Sequence, residues 1–181
     1  SNASRGLGDV YKRQRKDLIN QMLTATKSSR INISEEIKTK SIAEIFSNNI
    51  KVGDTIFLRG ELGVGKTTFI RYLINFLQRQ NNQSITEISS PTFNLVHEYQ
   101  LGSLVIKHYD LYRINDEKEL ANIGIYEDNP DEITLIEWPE KMKKYKTNNI
   151  LDLNFEYGDE YKKRFLTISS KKKVSFLDEF K

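Results

Sequence analysis

Eight consecutive residues place the tightest limit on how this chain can fold. Gly60-Glu61-Leu62-Gly63-Val64-Gly65-Lys66-Thr67 fit the pattern G-x-x-x-x-G-K-[ST] in full. Before them stands TIFLR (55–59), a short run rich in strand formers. After them comes TTFIRYLINFLQRQ (67–80), with Phe69, Ile70, Leu73, Ile74 and Leu77 at helical spacing. Strand, glycine turn and helix in that order aim backbone N–H groups and the positive end of a helix dipole at one point.

That geometry is a cradle for phosphate oxygens. The glycines allow the tight turn, and Lys66 adds a cation that can reach β- and γ-phosphates. The expected nucleotide contacts are Gly60, Glu61, Leu62, Gly63, Val64, Gly65, Lys66, Thr67 and Thr68, with the Thr67 hydroxyl on Mg²⁺. A β-to-α turn that holds a lysine by chance would match neither the whole pattern nor its flanks. The fold class expected from this is α/β, a P-loop NTPase-like three-layer fold.

Such a loop needs a carboxylate at the end of a neighbouring strand, to hold Mg²⁺ directly or through water and to orient the attacking water. Asp110 ends the run SLVIKHYD and Glu137 ends ITLIE, and the residues alone leave the division of roles open. Either acid also reads as an ordinary solvated strand end. In SSPTF (89–93), the Thr92 hydroxyl sits where a loop can sense a γ-phosphate, although a plain proline turn fits equally well. Trp138 follows Glu137 and reads as a cover over the nucleotide or as core packing. His97 and His108 lack a third metal ligand at suitable spacing, so both read as packed or surface imidazoles without a role.

Other elements follow from local pattern. MLTAT (22–26) reads as a short first strand, and Ser34 as the cap of a helix running to about Ser47. FNLVHEY from 93 and SLVIKHYD to 110 alternate about Gln100-Leu101-Gly102, which predicts an antiparallel hairpin and hence a mixed parallel and antiparallel central sheet. Asn115 is the expected cap of a short helix that stops before Gly124. EITLIEW (132–138) reads as a buried strand, with a helix EKMKKYK after Pro139. ILDLNFEY and RFLTIS form a last hairpin about Gly158-Asp159-Glu160.

Residues 1–14 are read as tag-derived and without structure, 15–170 as one domain, and 171–181 as a loosely held basic tail. Basic and acidic residues, 28 and 25, are mixed along the chain for a net charge of +3, unlike the one-sided stripe of a dedicated DNA or RNA binder. No apolar run approaches the roughly 20 residues that cross a bilayer, so no membrane partner is expected. Cysteine is absent, which excludes disulfides and thiolate chemistry, and a cytoplasmic location is the default expectation.

Four blocks in order, GELGVGKTTFIR, SPTFNLVHEY, HYDLYR and IEWPE, closely resemble the TsaE (YjeE-like) family over about Met22 to Ser170. The resemblance implies an ATPase of bacterial tRNA N6-threonylcarbamoyladenosine biosynthesis. It implies ATP and Mg²⁺ as cofactors and the TsaB–TsaD complex as partner, with tRNA reached through that complex. Carried over by position, it makes Lys66, Asp110 and Glu137 catalytic, Thr67 and Glu137 magnesium ligands, and Thr92 and Trp138 parts of the functional blocks. Glu61 and Val64 stand where the family more often has Asp and Ala. Three rival readings stand beside it: a small-molecule kinase, for which Arg113 is the obvious lid arginine, a GTP switch, whose N-K-x-D tetrapeptide is missing, and a nucleotide-dependent assembly factor.

Overall fold

The computed structural model describes residues 26–127, 130–145, 147 and 149–180. Its elements in order are β1 (Thr26–Lys27), β2 (Ile31–Asn32), α1 (Glu36–Asn49), β3 (Thr55–Arg59), α2 (Lys66–Gln80), β4 (Val96–Leu101) and β5 (Leu104–Asp110). Then follow α3 (Glu117–Asn122), β6 (Glu132–Glu137), β7 (Ile150–Tyr157) and β8 (Arg164–Ser170). The strands form one sheet in the order β1-β8-β7-β3-β6-β5-β4, with β2 also on β8.

The expected mixture of directions is present. β3 runs parallel to β6 and to β7, and β5 runs parallel to β6. Both hairpins are antiparallel, as short connections require: β4 and β5 pair Leu101 with Leu104 across Gly102-Ser103, and β7 pairs with β8.

Side-chain alternation sorts the core into two. Ile56 and Leu58 of β3 face one side, with Ile133, Leu135 and Ile106, and meet Phe69, Ile70 and Leu73 of α2 and Phe46 of α1. Phe57, Ile136 and Tyr109 face the other side, under Leu111, Ile114 and Leu120 of the α3 region. Each such buried side chain contributes roughly 1.5–3 kcal/mol, so the sheet is clamped from both faces. Phe46 packs edge-on against Phe69 at 5.3 Å between centroids.

Several local expectations are corrected. Ser34 does not cap α1; its hydroxyl is taken by Asn32 Oδ1 at 2.7 Å and by Arg164 N–H at 3.0 Å, contacts that tie β2 to β8, and Glu35 occupies the cap position. Asp116 rather than Asn115 caps α3, because only Asp116 has a glutamate three residues on to close a capping box with Glu119. After Pro139 the chain makes a single 3₁₀ turn (Pro139–Lys141), not a helix, since Tyr145 leaves to pack on the Phe57 ring. The segment expected to hang loose is anchored: Ser175–Phe180 forms a 3₁₀ turn with Phe176 and Leu177 buried, Phe176 lying 5.2 Å from Phe46. Of the strand expected at 22–26 only Thr26 is described; residues 22–25 and 1–14 lie outside the described residues. No helix among the described residues is long and apolar enough to cross a membrane.

Register decides the rest. Asp110 pairs with Glu137, and Glu137 with Leu58, so the two acids end side by side, two residues before the loop that opens at Gly60. Brought to the carboxyl ends of parallel strands, these groups sit where α/β sheets bind ligands.

Candidate functional site

Gly60 leaves β3 at φ +132°, and a Cβ there would meet the Phe155 carbonyl oxygen at 2.4 Å, so the chain can pass β7 this closely only as glycine. At the other end of the loop Gly65, at φ +121°, is the N-cap of α2, and as a glycine it has no side chain with which to cap the helix. The first amides of α2 are therefore presented to the cleft as donors.

Lys66 is 4% exposed. Its Nζ donates to the carbonyls of Gly60 at 2.6 Å and Glu61 at 2.8 Å, and lies 4.1 Å from the centroid of the Trp138 ring. Burial pushes the Lys66 pKa below its ordinary value, against the pull of Glu137, Asp110 and Glu140. A buried ammonium held on neutral carbonyls gains from any anion that reaches it.

Glu137 is 2% exposed at the end of β6, and a carboxylate so buried needs donors. Thr67 Oγ1 donates to its Oε2 at 3.1 Å and its Oε1 at 3.2 Å. On the far side His108 Nε2 lies 2.8 Å from Oε1. Past Glu137 the backbone turns left-handed at Trp138, φ 62°, while Trp138 N–H donates to Leu58 at 3.2 Å, which turns the indole back over Lys66.

Asp110 has a different company. Its Oδ2 accepts from Ser90 Oγ and from Thr92 Oγ1, the latter at 3.1 Å, and its Oδ1 accepts from the Tyr112 amide at 2.9 Å. The hydroxyls of Ser90 and Thr92 are themselves 2.9 Å apart. The SSPTF loop is thus held on the end of β5 by side chains.

The structure brings Leu62, Gly63, Gly65, Lys66, Thr67, Thr68, Thr92, Asp110, Glu137 and Trp138 to one cleft of about 360 Å³. Gly60, Glu61 and Val64 do not line it: the first two supply the carbonyls behind Lys66, and Val64 is fully buried in the core. Ser90 and Tyr112 stand in blocks that the sequence singles out without giving either a role of its own, and His108, expected as a packed or surface imidazole without a role, is packed against Glu137. One signal for His108 was available, since it stands two residues before Asp110 and a strand puts such residues on one face. Arg113 also lines the cleft, its guanidinium 4.3 Å from the ring of Phe93, which is 81% exposed. In chemical terms the cleft offers amides and a lysine for phosphate oxygens, and a hydroxyl beside a carboxylate, the hard oxygen donors that suit Mg²⁺.

The family model "Threonylcarbamoyl adenosine biosynthesis protein TsaE" matches residues 33–165. The chain belongs to the TsaE family. The matched range takes in the glycine loop and both strand-end acids. Among TsaE relatives, the tRNA threonylcarbamoyladenosine biosynthesis protein of Rickettsia typhi is 36% identical over 82% of this chain and 97% of its own. Those of Rickettsia felis and Nostoc are each 35% identical, over 81% and 78% of this chain and 83% and 86% of theirs. The crystal structure of YdiB from Bacillus subtilis superposes with a TM-score of 0.59 at 25% identity, covering 81% of this chain and 86% of YdiB. The TsaE assignment makes this a protein of tRNA threonylcarbamoyladenosine biosynthesis.

Proposed function

We propose that the chain is a Mg²⁺-dependent ATPase with a P-loop NTPase-like, three-layer fold, and that it supports turnover of the TsaB–TsaD complex in the cytoplasm. Carrying the reading is the convergence of Lys66, Thr67, Asp110 and Glu137 on one cleft at the carboxyl ends of β3, β5 and β6.

In this reading Lys66 exchanges the Gly60 and Glu61 carbonyls for β- and γ-phosphate oxygens, with Gly63, Gly65, Thr67 and Thr68 donating their amides. Thr67 Oγ1 and the Glu137 carboxylate hold Mg²⁺, which supplies charge neutralisation at the phosphates when bound. Asp110 accepts a hydrogen bond from the attacking water and orients it. Thr92, already on Asp110, carries the state of the γ-phosphate into the SSPTF loop, and Trp138 covers the Lys66 side of the cleft. The tRNA is reached through the partner complex.

The test is multiple-turnover threonylcarbamoylation of tRNA by TsaB, TsaD and the threonylcarbamoyl-adenylate synthase. It is run with the chain absent, present, or carrying Lys66→Ala. Turnover restored only by the intact chain is the expected result; equal turnover in all three removes the proposed role. A Glu137→Ala chain that binds ATP and still sustains modification would turn the reading into a nucleotide-dependent assembly factor.

A further inference from the structure

His108 is a buried polar group that the function proposed above does not use. It is 0% exposed on β5, on the face that also carries Ile106 and Asp110. Its Nε2 lies 2.8 Å from Glu137 Oε1, and its Nδ1 is buried without a hydrogen-bond partner among the described residues. A carboxylate only accepts, so the nitrogen that faces it is the one that carries the proton. A proton on Nδ1 alone would orphan that N–H and set two lone pairs against each other.

The two oxygens of Glu137 are not equivalent. Oε1 accepts from both His108 and Thr67, at 2.8 and 3.2 Å, while Oε2 accepts, among the described residues, from Thr67 alone, at 3.1 Å. An imidazole behind one oxygen and a hydroxyl in front fix the plane of the carboxylate. A carbon ring of similar size would fill the same space and leave the plane free to turn.

We propose that His108 is a positioning residue: its Nε2–H pins Glu137 Oε1, so that Oε2 is presented beside Thr67 to a divalent cation. This rests on the reading of Thr67 and Glu137 as the magnesium ligands. Outer partners of this kind orient a ligand before the metal arrives and are felt in metal affinity.

The test uses the full chain with ADP and Mn²⁺, the bound metal being counted by electron paramagnetic resonance. His108→Phe is expected to weaken Mn²⁺ binding on the order of 10- to 100-fold, while ADP affinity in EDTA stays within about threefold of the parent chain. His108→Gln, whose amide can donate near the Nε2 position, is expected to recover most of the loss. The chain has only two histidines, so a long-range ¹H–¹⁵N spectrum with His97→Gln for assignment reads the tautomer directly, and protonated Nε2 is expected for His108. Unchanged Mn²⁺ affinity in His108→Phe, an equal loss of metal-free ADP binding, or a proton on Nδ1 would overturn the proposal. If His108→Phe does not fold, His108→Asn carries the comparison, since its shorter amide cannot reach Oε1 and should also lose Mn²⁺. Failure of the parent chain itself to bind Mn²⁺ with ADP would remove the magnesium reading as well, and that arm is distinct from the others.

Discussion

The two ends of the parallel strands differ in a way that volume does not capture. At the amino ends lies a cavity of about 740 Å³, lined among others by Val52, Thr55, Tyr126, Glu132, Thr134 and Tyr145. The carboxyl-end cleft is about half that size, near 360 Å³. Two of the acids that line the large cavity are paired with lysines: Glu132 meets Lys107 at 3.1 Å, and Glu117 meets Lys143 at 3.0 Å. In the small cleft Lys66 rests on carbonyls and Asp110 on hydroxyls and an amide, and neither forms an ion pair within 4.0 Å among the described residues. Buried charge without a direct countercharge costs free energy until a ligand arrives, and that is what marks a site rather than a gap in packing.

The largest effect that would sharpen this contrast is expected from Asp110→Asn. If Asp110 orients the water, hydrolysis should fall by about 10²- to 10⁴-fold with ATP affinity kept. An equal loss of affinity, measured by calorimetry, would assign Asp110 to binding instead. If Lys66 is the charged partner of the phosphates, Lys66→Ala costs on the order of 2–5 kcal/mol of binding, enough to weaken ATP by roughly 30-fold to several thousandfold. Undiminished ATP binding in that variant would break the comparison outright by placing the nucleotide elsewhere. Trp138→Leu removes a cation–π contact worth about 0.5–2 kcal/mol, so ATP affinity should change by no more than about thirtyfold in a fluorescent-nucleotide titration.

A gentler test uses pH. Burial lowers the Lys66 pKa from 10.5, so between that lowered value and 10.5 the unfolded chain holds more protons than the folded one. Stability relative to Lys66→Met should therefore rise with pH across that window, read by denaturant unfolding. Phosphate favours the charged lysine, so ATP affinity should fall over the same window; a rise would mean that Lys66 does not face the phosphates. Smallest of all is Tyr145→Phe at the amino ends, which removes a hydroxyl 3.4 Å from Thr55 Oγ1. It should cost no more than about 1 kcal/mol of stability and leave ATP affinity within about twofold, whereas a larger loss would show that the two ends communicate.

What could be read from the residues was whatever a short stretch of chain decides for itself. The glycine loop, β3, α2 and the last hairpin depend on neighbours in sequence and stand where alternation and helical spacing put them, whereas the first hairpin forms with its first strand starting at Val96, not Phe93, and its turn at Gly102-Ser103, not Gln100-Leu101-Gly102. Asp110 and Glu137 were legible as strand ends but not as neighbours, because their pairing is a matter of register between β5 and β6. The place of His108 on the Asp110 face was legible, but its bond to Glu137 was not, because that partner lies 29 residues away on another strand. Caps failed where a competing tertiary bond existed, as Ser34 shows by serving Asn32 and Arg164 instead of α1. The last residues failed for a different reason, since Phe176 and Leu177 carry a core signal that the lysines before them obscure.

Trp138 is the chain's only tryptophan, and its left-handed backbone sets its ring over Lys66 and 5.0 Å from the ring of Tyr112. The molecule therefore carries its own optical probe. Light absorbed near 280 nm by Tyr112 can pass to an indole whose emission is sensitive to the ammonium beside it, and every photon from that indole originates at the cleft. Changes at the cleft can thus be followed in unlabelled protein, and partners lacking tryptophan add no indole emission.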